Sequence, residues 1–358
     1  MKISIGRFVG TLVVAMAMIS SLVTSAGAAT VTYTGAGANN NWSTGTNWVP
    51  QPVANGDSVF LSASAGADKS MTNDSISILA NMTFTTSGNT LGGLGTLAID
   101  SLGTVRSQTG VNTINQKLSV PSGAITLQAD GTSLLRINGG IDGGIATIAQ
   151  VGTGIVELNG TGTFNGNYSL SAGSTLAGSG IHPGLDLTAS AGSFLTPGPN
   201  GAIGATEFGD VNLLGTVSMG IDDTTNFDNV IANGTLAYGG ALNIAYNDPS
   251  FLPNYTSWNL FDATGAISGD FTAFNWTAVS PYSGLSFSQY GSGVTGGWKS
   301  NEFVGFGGQM QFFAFENGTG NLILVPEPST MVFAAIGLVV SGAHVMRKRR
   351  QASAVAAG

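Results

Sequence analysis

The sequence predicts an all-β body, and three observations carry that expectation. Short apolar runs recur through the chain: Ser58–Leu61, Leu97–Ile99, Ala124–Leu127, Ile155–Leu158 and Tyr168–Leu170. Gly, Asn, Ser or Asp bounds each of them, and these residues supply turns. Helix-like periodicity is scarce, so runs of this length and composition read as strands. Strands so short need many neighbours to bury their faces. Their even spacing, with glycine at the corners, favours a solenoid or a stacked sandwich over a helix-containing fold.

The chain opens with Lys2 and Arg7, an apolar run from Phe8 to about Val23, and then Ala26-Gly27-Ala28-Ala29. Positive start, apolar centre and small-residue end are the build of a secretory signal peptide, with cleavage expected after Ala28 and Ala29 as the next choice. Residues 1–28 are therefore set apart as the signal, the body running from 29 to 325.

At the other end, Val325-Pro326-Glu327-Pro328-Ser329-Thr330 leads into an apolar run over Met331–Met346, which Arg347-Lys348-Arg349-Arg350 closes. As a helix that run reaches about 24 Å, short for a hydrocarbon core of about 30 Å but enough for a transmembrane helix aided by its flanks. The basic cluster belongs on the cytoplasmic side, which places the body outside the inner membrane. Residues 326–350 resemble the PEP-CTERM sorting signal. Pro326, Glu327 and Pro328 match its triplet, and Arg347, Lys348, Arg349 and Arg350 match its basic end. The resemblance implies recognition by an exosortase after passage through the secretion translocon. It also implies release of the protein from an inner-membrane intermediate toward the cell surface or an extracellular polymer matrix.

The body carries five basic and eighteen acidic residues, a net charge of −13. Nucleic-acid binding is excluded on that ground, because phosphate neutralisation needs clustered Lys and Arg. An acidic, polar surface suits a secreted protein and attracts cations. No cysteine is present, so the fold must hold without disulfides. Its length permits that, since a body of this size can bury roughly 75% of its unfolded-state surface.

Two stretches carry a second resemblance. Residues 152–178 read GTGIVELNGTGTFNGNYSLSAGSTLAG: the Gly152/Gly154 pair, a strand ending at Leu158, Asn159-Gly160, Phe164, and a strand closing on Leu176. This is similar to the autotransporter-associated β-strand repeat, which implies a right-handed β-solenoid (β-helix) in a bacterial surface protein. Asn41-Trp42 and Asn47-Trp48, followed by Gly56-Asp57, resemble the leading segment of such proteins. There Trp42 and Trp48 are expected to cover the first rung, with stacking on a glycan as the other use of Trp42. Residues 29–205 are assigned to the solenoid-like region.

Beyond residue 205 the pattern shifts. The runs around Gly239-Gly240 read as paired strands joined by a hairpin, and aromatics crowd residues 284–324. Residues 206–325 are thus expected to form a β-sandwich-like or capping region, either separate from the solenoid or continuing it.

Candidate chemistry is sparse. His182 is the body's one histidine, sits in a Gly-rich turn, and no Gly-x-Ser-x-Gly pattern accompanies it. Zinc lacks ligands. Asp222, Asp223, Asn226 and Asp228 group hard oxygens within one short segment, a candidate Ca²⁺ site. Trp42 and Trp298 are candidate glycan-stacking residues. The expected function is a non-enzymatic surface or matrix protein acting in structure or adhesion. The other reading is a carbohydrate-binding or polysaccharide-cleaving module, with exopolysaccharide or another surface glycan as partner.

Overall fold

The computed structural model describes residues 28–62 and 69–327. The signal residues 1–27, Pro328, the apolar run 331–346 and Arg347–Arg350 lie outside the described residues. Among those described, no helix is long and apolar enough to cross a membrane.

The strands coil into a β-solenoid of about eight turns. Each turn lays one strand on each of two long parallel sheets and one segment on a third side. In one rung, Thr104–Ser107 joins the first sheet, Val111–Ile114 the second and Lys117–Val120 the third. The next strand, Gly123–Ala129, returns to the first sheet beside the one that began the turn. A turn takes 23 residues between Ser58 and Asn81, and 19 between Gly166 and Leu185. It widens to 31 between Leu236 and Ile267. The sequence runs read as strands fall inside observed ones, and Phe164 is fully buried.

In-register pairing turns the two-residue alternation of each strand into columns running along the axis. On the first sheet Val59, Met82, Val105 and Leu127 stack in register, all buried. Gln150 occupies the next place in that column. It is fully buried, and its amide is satisfied: Nε2 donates to the Thr175 carbonyl at 2.7 Å and Oε1 accepts from the Tyr168 hydroxyl at 2.6 Å. Polar ladders bind rungs at the corners too, as where Asn159 donates to Asn138 and Asn138 to Asn115. Ion pairs do the same: Arg106–Asp130 at 2.6 Å and Lys117–Asp142 at 3.1 Å each join neighbouring turns.

The parallel ladders do not stop at residue 205. Thr216–Ile221, Ala241–Tyr246 and Ala273–Ala278 extend the second sheet in register. The expected hairpin at Gly239-Gly240 is corrected by this pairing. Leu236–Tyr238 belongs to the first sheet and Ala241–Tyr246 to the second, so the glycine pair is a solenoid corner. A side chain at Gly240 would collide with the Gly215 carbonyl one turn below, which is why the corner is glycine.

Both ends of the coil are covered. At the start, Trp48–Val49 pairs antiparallel with Thr30–Tyr33, and Trp42 and Tyr33 meet Trp48 edge-on at 5.4 and 5.3 Å. Trp48 Nε1 donates to the Trp42 carbonyl at 2.9 Å. At the far end an antiparallel sheet assembles Ser257–Asn259, Phe287–Tyr290, Gly297–Ser300, Met310–Glu316 and Asn321–Pro326. Its inner face packs Phe313 and Phe315 against Tyr238, Tyr246, Phe261, Phe271 and Trp276 of the last turns. Covering the terminal rungs buries the apolar ends of the core, Trp42 at the start and Phe313 and Phe315 at the far end.

Candidate binding cleft

A concavity with convergent polar groups lies on the outer face of the second sheet, late in the solenoid. It has a volume of about 570 Å³, inside the range of about 300–1,000 Å³ usual for small-molecule sites. Three successive strands form its floor. Their outward residues are aligned by register: Ser218 beside Asn243 and Asn275, then Gly220 beside Ala245 and Thr277. Asp222 and Asn247 continue the floor, with Asn247 Nδ2 donating to Asp222 Oδ1 at 2.8 Å. Asn275 donates to Asn243 Oδ1 at 2.8 Å, so part of the amide row is pre-oriented.

Two loops make the walls. One carries Pro197 and the 3₁₀ turn Pro199–Gly201, leading to Ala202 and Ile203; the other is the 222–228 segment. Asp228 joins them. Its Oδ1 accepts from the Gly204 N–H at 2.8 Å and its Oδ2 from the Gly220 N–H at 2.6 Å. A side chain at Gly220 would lie 2.6 Å from Ile203 Cδ1, so glycine in mid-strand is what lets the wall close over the floor.

The four candidate calcium ligands share this loop but do not converge as a cation site. Asp228 is 5% exposed and spends both oxygens on backbone N–H groups. Asp223 Oδ1 accepts from Thr225 N–H, the Thr225 hydroxyl and Asn226 N–H, an Asx turn that holds its carboxyl below the ordinary range. Among the described residues no group of three or more His, Cys, Asp or Glu is arranged to hold a metal ion.

The two candidate stacking tryptophans are also corrected. Trp42 is 1% exposed and Trp298 is 9% exposed. Trp42 packs on Trp48, and Trp298 packs near Phe274, so both are end-cap residues with no ring face for a sugar. Of the sorting residues, Pro326 ends the last strand opposite Gln311, and the Glu327 N–H donates to the Met310 carbonyl.

His182 is fully buried between turns, where glycines at 162 and 180 leave room for its ring. Neither ring nitrogen has a hydrogen-bond partner among the described residues. Burial pushes its pKa down to about 4, Asp142 opposing and Lys117 reinforcing the shift. For Asp228, burial pushes the carboxyl up to about 6 despite its two N–H donors, and Asp222 adds to the rise.

These two groups give opposite pH dependences. Between its ordinary value and about 4, His182 is protonated only in the unfolded chain, so acidification destabilises the fold. Between about 6 and the ordinary carboxylate value, Asp228 holds its proton only in the folded chain, so acidification stabilises it. Each effect amounts to roughly 3 kcal/mol across its window. His182→Leu is therefore expected to gain stability by about 2 kcal/mol between pH 6.5 and 4.5 relative to the parent, read as the difference in urea midpoints. An identical pH profile for the two proteins would contradict the assignment.

Comparison with known proteins finds no matching family model, no matching curated protein and no matching solved structure.

Proposed function

We propose that this chain is an exported structural or adhesion protein of the cell surface or extracellular matrix, acting without catalysis. The observation that carries the reading is a β-solenoid of about eight turns, covered at both ends by its own aromatic caps. Such a body is a rod that presents repeated polar surface along its length. A right-handed coil is the hand that parallel crossover connections favour.

The sequence ends supply the route: a signal removed after Ala28 and a PEP-CTERM-like tail processed by an exosortase. Ala29 N–H donates to Asp57 Oδ1 at 2.9 Å, and Asp57 is 5% exposed. Cleavage after Ala28 would turn that donor into a charged ammonium and this contact into a charge-assisted bond. Deleting the gene in the native host should deplete the extracellular matrix and weaken surface attachment. Unchanged attachment and unchanged matrix composition would contradict the proposal.

A further inference from the structure

We infer that the cleft between the 197–203 and 222–228 loops binds an uncharged, hydroxyl-rich polysaccharide segment; this rests on the surface and matrix reading above. The floor is a register-aligned set of small and polar side chains. Gly220 and Ala245 leave a shallow track, flanked on one side by Ser218 and Asn243 and on the other by Asp222 and Asn247. Amides and hydroxyls both donate and accept, and a carboxylate accepts from hydroxyls, so this set matches the mixed donors and acceptors of a sugar. Ala202 and Ile203 give the wall an apolar surface for the carbon face of a ring.

Charge decides against other occupants. Asp222 and Asp228 line the cleft, no Lys or Arg does, and the body carries a net charge of −13. An anionic polymer would meet like charge with no cation to pair with. A bare cation finds too few free carboxylates, because Asp228 is committed to Gly204 and Gly220. That same commitment leaves Asp228 as the tie between the two walls, a positioning residue for the cleft.

The track is open along the sheet, and it lacks an aromatic platform, so single-site affinity is weak and retention comes from many copies meeting one polymer. The test uses the full mature chain. Neutral glucan, mannan and galactan oligosaccharides and anionic oligogalacturonate are titrated by calorimetry or ligand-observed NMR. Binding of at least one neutral series in the millimolar range is expected, with oligogalacturonate at least tenfold weaker. Ala245→Phe, which fills the track from an exposed position, and Asn247→Ala should each lower that binding at least tenfold with unchanged unfolding midpoints. Ser288→Ala, on the exposed edge of the terminal sheet, should leave it unaltered. Equal binding of the anionic oligomer, or full binding by Ala245→Phe, overturns the assignment. A chain that binds no neutral series although its deletion still depletes the matrix also overturns the cleft, while leaving the structural role standing.

Discussion

Phe313→Ala will lower the unfolding free energy by about 3–5 kcal/mol, the range for removing a large aromatic from a packed core. Phe313 is fully buried, and its ring lies 5.0 Å from Trp276, 5.3 Å from Tyr282 and 5.5 Å from Phe303. It also reaches Tyr246 and Trp258, so one side chain links the antiparallel cap to the last rungs. In a solenoid each turn contacts only its neighbours, and stability is close to a sum of rung and interface contributions. The loss should therefore be local. Amide exchange should quicken in Ala241–Tyr246, Ala273–Ala278 and Asn321–Pro326, with Leu134–Ile137 and Ile155–Leu158 unchanged. Uniform acceleration along the chain would show that the turns unfold as one unit.

Arg136→Ala should cost about 3–5 kcal/mol, because it leaves a buried carboxylate without its cation. The Glu157 side chain is 0% exposed, and Arg136 Nε lies 2.6 Å from its Oε1 across adjacent rungs of the second sheet. The remaining partner of Glu157, the Asn159 amide, cannot neutralise the charge. The double variant Arg136→Met, Glu157→Leu removes both charges and should recover most of the loss, since an apolar pair of similar volume avoids the desolvation cost. Denaturant midpoints of the parent, both single variants and the double variant give the coupling directly. A double variant as unstable as Arg136→Ala would mean that lost packing, not an unpaired charge, sets the cost.

Much of the solenoid was legible because strand and corner are local chemistry. Ile155–Leu158 and Phe164 stand out from the residues around them, and the structure shows the first as a strand of the second sheet and the second as a fully buried ring. The expected strand closing on Leu176, by contrast, is two strands, Asn165–Leu170 and Thr175–Gly178. Gly239-Gly240 misled for the same reason. A glycine pair between apolar runs has one local signature, whether the second run folds back as a hairpin or turns onto the next sheet. Only register one turn away separates the two, here Thr216 against Ala241 and Val211 against Leu236.

The cleft was half visible. Its 222–228 loop announced itself as a polar cluster, but the partners that define it lie a turn away: Gly204 is 24 residues from Asp228, and Asn247 is 25 from Asp222. The signal that could have found it is the recurrence of Ser218 and Asp222 as Asn243 and Asn247 at the rung period. Trp42 and Trp298 show the opposite limit. An aromatic near a Gly-rich turn reads alike as glycan platform or core cap, and burial decides.

Export and tail removal are tested most directly by the intact mass of the protein in membrane, surface and medium fractions of its native host. A surface or medium form that begins near Ala29 and ends near Pro326 is expected. A chain that keeps its full tail and stays in the inner membrane would contradict that expectation.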